Sequence, residues 1–240
     1  MKIDAKNMHF KDLNNQIRST TDSQITIDHC IGQRYIGCGL GSKEIVINGT
    51  PGNALGSYLD GCNITVYGNA QDAIGDTMNE GAIIIHGSSG DATGYAMRGG
   101  KIYIRGSSGY RAGIHMKAYK DKVPVLVIGE TAGSFLGEYQ AGGIIIVLGL
   151  HTDHKVPVGN FCGTGMHGGR IYLRCEELPK DLPGQVAAEK ATEKDMEEIR
   201  SYLEEFCLIF GENIEFVYGQ TFYVLTPNTK NPYKQLYTRN

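Results

Sequence analysis

The 240-residue sequence lacks any run of eighteen apolar residues, so a membrane-spanning helix is not expected; its densest apolar patch, residues 144–150, has the length of a strand. The N-terminus, MKIDAKNMHFKDLNNQIR, has no apolar h-region, so no secretory signal is expected either. The six cysteines (30, 38, 62, 162, 175 and 207) include no C-x-x-C pair. That spacing argues against an iron–sulfur cluster held by this chain, and with no signal it gives a reduced, cytoplasmic protein as the expectation. An excess of positive charge is missing too. The formal net charge is −3, which argues against a general nucleic-acid surface. No G-x-x-x-x-G-K-[ST] phosphate loop and no G-x-S-x-G elbow occur, and no cysteine stands at the N-terminus to serve as a nucleophile.

What is abundant is glycine. There are 33, and thirty of them lie between Gly32 and Gly169. The stretch is rich in Ile and Val and shows no G-X-Y period, so it is neither a flexible linker nor collagen. Short apolar runs end near glycine at regular intervals: IVING at Gly49, ITVYG at Gly68, IIIHG at Gly87, IYIRG at Gly106, VLVIG at Gly129 and IIVLG at Gly149. The spacings are 19, 19, 19, 23 and 20 residues. ITIDH precedes the series and IYLRC, ending at Cys175, extends it. A second glycine column follows three of the runs, in Gly49/Gly52/Gly56, Gly87/Gly90/Gly94 and Gly106/Gly109/Gly113, and recurs with one change at Gly68/Gln71/Gly75 and shortened at Gly133/Gly137.

Each interval holds one strand and then turn residues, and nothing in it reads as a helix of 10–12 residues. About 19 residues trace roughly 60 Å of extended chain. This length predicts an all-β fold: a single-stranded right-handed parallel β-helix of about seven coils, with a short N-terminal helix and a C-terminal α/β appendage. Two columns are expected inside. They are Ile45/Ile64/Ile83/Ile102/Val125/Ile145 and Ile47/Val66/Ile85/Ile104/Val127/Val147, with Leu59, Met78, Met97 and Met116 as a further inward column. The outward strand face would carry Val46, Thr65, Ile84, Tyr103, Leu126, Ile146 and Tyr172. A stripe this apolar predicts a cover, either the chain's own tail or a partner protein.

The ends read differently. Residues 4–18 pattern as a short amphipathic helix. Residues 192–210 pattern as a stronger one, capped by Thr192 and Asp195 and stopped by Gly211, and TFYVL (221–225) reads as a strand. The expected organisation is an N-terminal helical cap at 1–23, the glycine-rich β region at 24–175 and a helix–strand segment at 176–240.

Candidate chemistry is sparse. Gly163/Gly165/Gly168 match G-x-G-x-x-G, but a strand follows where a dinucleotide site needs a helix. His151, His154, Cys162 and His167 could form a zinc set, although no second closely spaced pair supports them. Asp72 and Asp91 share a column one interval apart and could pair as catalytic or calcium-binding carboxylates; turn aspartates bonding their own backbone are the alternative. Arg98, Arg105, Arg111 and Arg174 could meet an anion or an interface. From the residues alone, no catalytic, cofactor-binding or metal-binding residue is assigned.

The segment GDTMNEGAIIIHGSSGDATGYAMRGGKIYIRGSSGYRAGIHMKAY (75–119) closely resembles the GXGXG domain at the C-terminus of the glutamate synthase large subunit, and FLGEYQAGGIIIVLGL (135–150) and VGNFCGTGMHGGRIYLR (158–174) continue the likeness. FKDLN, GQRYIGCGL and the closing PYKQLYT resemble the free-standing form of the domain in split glutamate synthases of archaea and some bacteria. Gln140 and Cys175 stand where the family usually has methionine and glycine. The resemblance implies a β-helix subunit that carries no nucleophile, FMN or iron–sulfur cluster of its own. Its implied role is to hold a glutamine amidotransferase subunit and an FMN- and iron–sulfur-bearing synthase subunit together. The formylmethanofuran dehydrogenase subunit of the same fold family is a more distant resemblance and implies a scaffold of another complex. A homo-oligomer formed through the apolar stripe, or a stand-alone polysaccharide enzyme using Asp72 and Asp91, are the remaining readings.

Overall fold

The computed structural model describes residues 1–153 and 155–228. The chain opens with β1 (Lys2–Asp4) and α1 (Phe10–Ser19). Eight strands follow without an intervening helix: β2 (Gln24–Ile31), β3 (Glu44–Thr50), β4 (Asp60–Tyr67), β5 (Glu80–Ile85), β6 (Lys101–Ile104), β7 (Val125–Ile128), β8 (Ala141–Val147) and β9 (Gly168–Arg174). The C-terminal part supplies β10 (Val186–Lys190), α2 (Glu193–Phe210), α3 (Ile214–Tyr218) and β11 (Phe222–Pro227).

The strands form one sheet in the order β1 to β9, then β11 and β10. Pairing is parallel from β1 through β9 and antiparallel in β9–β11–β10. This corrects the expected fold class. Among the described residues, an all-β right-handed parallel β-helix of about seven coils with an α/β appendage is replaced by a single, mostly parallel eleven-stranded sheet with three helices. The tail strands are members of that sheet, and the solenoid-repeat description falls with the β-helix. Physically, the last parallel strand offered an unpaired edge, and β11 satisfies it by antiparallel pairing (Tyr223 opposite Leu173), so the tail is part of the sheet.

The 19-residue interval acts through register. Ile45 lies opposite Ile64, Ile64 opposite Ile83 and Ile83 opposite Ile102, so side chains alternate faces in phase from strand to strand. One face, with Leu59, Met78, Met97 and Met116 from the loops, makes the larger core. The loops stack as well, through parallel bridges from Ala70 to Ser89, Ser108, Ala132 and Val158.

The inner columns need one correction. Lys101 pairs with Val125 and Ile104 with Ile128, so Leu126 and Ile128 continue the inner columns while Val125 and Val127 point to the other face. The cause is Gly129. It aligns with Arg105 rather than Gly106, shown by its N–H donating to Ile104 while the Glu130 N–H donates to Gly106. A one-residue slip exchanges the two faces of a strand.

The outer stripe is therefore Ile84, Tyr103, Val127, Ile146 and Tyr172 over the later strands. The chain's own tail covers it. Thr192 and Asp195 form a reciprocal capping box, and Gly211 ends α2 in a left-handed conformation. The buried face of α2, with Ile199, Leu203, Phe206 and Phe210, meets the stripe in the second core. Polar anchors fix its placement. The Tyr103 hydroxyl donates to Glu205 at 2.7 Å and the Tyr172 hydroxyl to Glu198 at 2.5 Å, while Arg170 meets Asp195 at 2.6 Å. Burial, with the nearby carboxylates, pushes both tyrosine hydroxyls far above the ordinary phenol range, so they remain donors.

Candidate functional site

His86, Arg105, Glu130 and His151 follow the carboxyl ends of β5 to β8, and Arg174 is the last residue of β9; they line adjoining depressions at the carboxyl ends of the strands, a position where open parallel sheets commonly take ligands. Two adjoining depressions share His151. A smaller one, of about 300 Å³, includes His86, Arg105, Glu130 and Ser88. The larger, of about 940 Å³, includes His151, Lys155, Arg174 and Phe216. Glu212, just past the end of α2, ties them together: it accepts from His151 at 2.9 Å and lies 3.9 Å from Arg105. His86 stacks on Tyr67 at 4.5 Å between ring centres and meets the edge of Phe210. Burial, with Arg105 nearby, lowers the His86 pKa and favours the neutral ring.

Arg174 is the buried charge of this trough, 6% exposed. Its Nε donates to the Val217 carbonyl at 2.7 Å, Nη1 to Leu148 at 3.1 Å and Nη2 to Phe216 at 2.8 Å. It thus binds carbonyls at the end of α3 and the end of β8, and its guanidinium lies 5.1 Å from the Phe216 ring centre.

The candidate zinc residues are dispersed. His151 is exposed and engaged by Glu212. Cys162 is fully buried in the larger core, where burial, with Asp181 and Cys175 adding to it, pushes its thiol up to about 12. A thiol held this firmly protonated is a poor ligand. His167 lies beside the Gly165 carbonyl. His154 lies outside the described residues, as does PYKQLYT. Among the described residues, no group of three or more His, Cys, Asp or Glu side chains is placed to hold a metal ion.

Asp72 and Asp91 are committed to backbone. Asp72 Oδ1 accepts from the Asp91 N–H at 2.9 Å, and Asp91 Oδ1 from the Tyr110 N–H at 2.8 Å. Asn53 starts the ladder by accepting from Asp72, and Asn69 and Ser88 run a parallel one to Ser88 and Ser107. Each carboxylate bonds the next strand–loop segment rather than its own turn. The second glycine column follows from this, because a Cβ at Gly90 would sit 2.1 Å from Asp72 Oδ1 and one at Gly109 2.2 Å from Asp91 Oδ1. The Gly163/Gly165/Gly168 match precedes β9, not a helix.

The turns also carry an unforeseen conformation. Ala54, Gly56 and Tyr58 all have φ near +60°, and the same alternation recurs from Tyr35/Gly37/Gly39 to Phe161/Gly163/Gly165. These corners display exposed rings: Tyr58, Tyr95, Tyr110 and Phe161, the last stacked on Phe135 at 5.1 Å. Arg111 lies over Phe135 on the same edge. Exposed aromatic side chains are enriched in protein contact surfaces.

The GXGXG motif family model matches residues 3–222. The chain belongs to this family. An uncharacterized protein of Methanocaldococcus jannaschii is 48% identical over 250 aligned residues, which cover 98% of this chain and 95% of that protein. A chain of the formyltransferase/hydrolase complex of Methylorubrum extorquens, determined in complex with methylofuran, matches with a TM-score of 0.62. That match spans 92% of this chain and 89% of the other at 17% identity, so it is a likeness of fold. Among the described residues of this GXGXG chain, no helix is long and apolar enough to cross a membrane.

Proposed function

We propose that the chain is a non-catalytic structural subunit of a split glutamate synthase. It holds a glutamine amidotransferase subunit and an FMN- and iron–sulfur-containing synthase subunit in register, so that ammonia released at one site reaches the other. The observation that carries this reading is the family match over residues 3–222, joined to the long resemblance of residues 75–119 to the glutamate synthase domain. The surface is consistent with it. Its own tail covers the outer stripe over the later strands, while the rings at Tyr58, Tyr95, Tyr110 and Phe161 stay available to other proteins. A protein of this kind contributes by positioning, which converts a diffusive encounter into a fixed geometry. The cofactors of the reaction belong to the partners in this reading.

The fold likeness to a chain of a formyltransferase/hydrolase complex favours a second reading, a scaffold related to the same-fold subunit of formylmethanofuran dehydrogenase. One experiment separates them. Native purification of the tagged chain from its source, with mass spectrometry of stoichiometric companions, is expected to return an amidotransferase and a flavoprotein. Recovery of a pterin-containing formylmethanofuran enzyme instead would overturn the first reading in favour of the second.

A further inference from the structure

We propose that the Arg174 end of the trough binds a small oxyanion, a carboxylate or a phosphate group. The inference is independent of the subunit reading. Arg105, Arg111, Arg170 and Arg200 all meet carboxylates. Arg174 is nine-tenths buried and has only carbonyl oxygens as hydrogen-bond partners among the described residues. A buried cation answered only by dipoles retains an unfavourable desolvation cost that an anion would offset. Three of its five N–H groups are taken, which fixes the plane of the guanidinium and leaves donors on the two terminal nitrogens.

The surroundings suit such a ligand. Arg174 lines the cavity of about 940 Å³, within the range of small-molecule sites. Lys155 lines it too and is 64% exposed; among the described residues its ammonium pairs with Glu177 at 3.4 Å, and a side chain this exposed can turn inward. His151 stands at the wall, positioned by Glu212. Asp153 and Glu176 also line the cavity, which disfavours a bulky polyanion and limits the ligand to a single small anionic group.

The test is a titration of the ¹⁵N-labelled full chain with inorganic phosphate and, separately, with acetate, ionic strength being held constant with sodium chloride. The expected result is a saturable shift of the Arg174 Nε–H and the Gly219, Gln220 and Thr221 amide signals. Lys155→Ala, an exposed change, is expected to weaken that binding about threefold. Saturation by phosphate alone assigns a phosphate ligand, and saturation by acetate alone a carboxylate ligand. Shifts reproduced by chloride, shifts without saturation or binding unchanged in Lys155→Ala would overturn the proposal.

Discussion

At Gly81, φ is +98° and an added Cβ would stand 2.1 Å from the Cys62 carbonyl oxygen, so the residue is held to glycine by both conformation and space. Gly81→Ala is expected to cost about 2–4 kcal/mol, combining left-handed strain with overpacking against backbone. Gly184→Ala meets nothing within 4 Å and is expected to fall within about 0.5 kcal/mol of wild type. Urea unfolding of the two variants checks the contrast, and equal midpoints would contradict it. Asp72 and Asp91 make a matching case. Their oxygens hold the N–H groups of Asp91 and Tyr110, so Asp91→Ala should lower stability by about 1 kcal/mol. At this scale the sequence was readable where periodicity was strict. Ile45, Ile64 and Ile83 aligned as expected. Val127 did not, because the insertion before β7 moved the terminal glycine by one position relative to its strand. The left-handed corners at Ala54 and Tyr58 were also invisible, since nothing in an alanine or tyrosine announces φ > 0. Hydrogen bonds to neighbouring segments, such as Ala54 N–H to Asp72, impose it.

Helix α2 is the element on which the outer core depends. Phe206 is fully buried between the helix and the sheet, so Phe206→Ala should cost about 3–5 kcal/mol. Hydrogen exchange is expected to rise first in α2 and α3. The helix start also carries a pH signature. Hydrogen bonds from Thr192, then Arg170, hold the Asp195 carboxyl below its ordinary value of 3.8. A depressed folded pKa gives stability that is complete above the unfolded pKa and is lost as pH falls through the folded one. Asp195→Asn should therefore be less stable than wild type by about 1 kcal/mol at neutral pH, and the two should converge in acid. Asp4 and Asp28 titrate with the same sign, but they cancel in the difference. A gap that widened on acidification would contradict the assignment. The capping box and the stop at Gly211 were legible in the sequence, because local signals set both. The docking of the tail on the sheet was open between self and partner, since an apolar stripe specifies a cover but not whose. The antiparallel pairing of β11 with β9 carried no sequence signal beyond the strand TFYVL.

For the whole molecule, the overall class had to be corrected from a β-helix to one mostly parallel eleven-stranded sheet, because interval length alone does not say how the ends of the chain are used. The trough beyond the strand ends was partly visible: Arg105 and Arg174 stood out as arginines, but their gathering with His86, His151 and Glu212 depends on contacts between distant segments. A positioning subunit, as proposed here for this chain, acts through assembly rather than through chemistry of its own. Its most direct test is reconstitution of glutamine-dependent glutamate formation from the separately purified amidotransferase and synthase subunits, with and without this chain. Ammonia-dependent synthesis by the synthase subunit is expected to proceed in both cases, while the glutamine-dependent reaction is expected to be efficient only when the chain is present. Equal glutamine-dependent rates with and without it would overturn the positioning role.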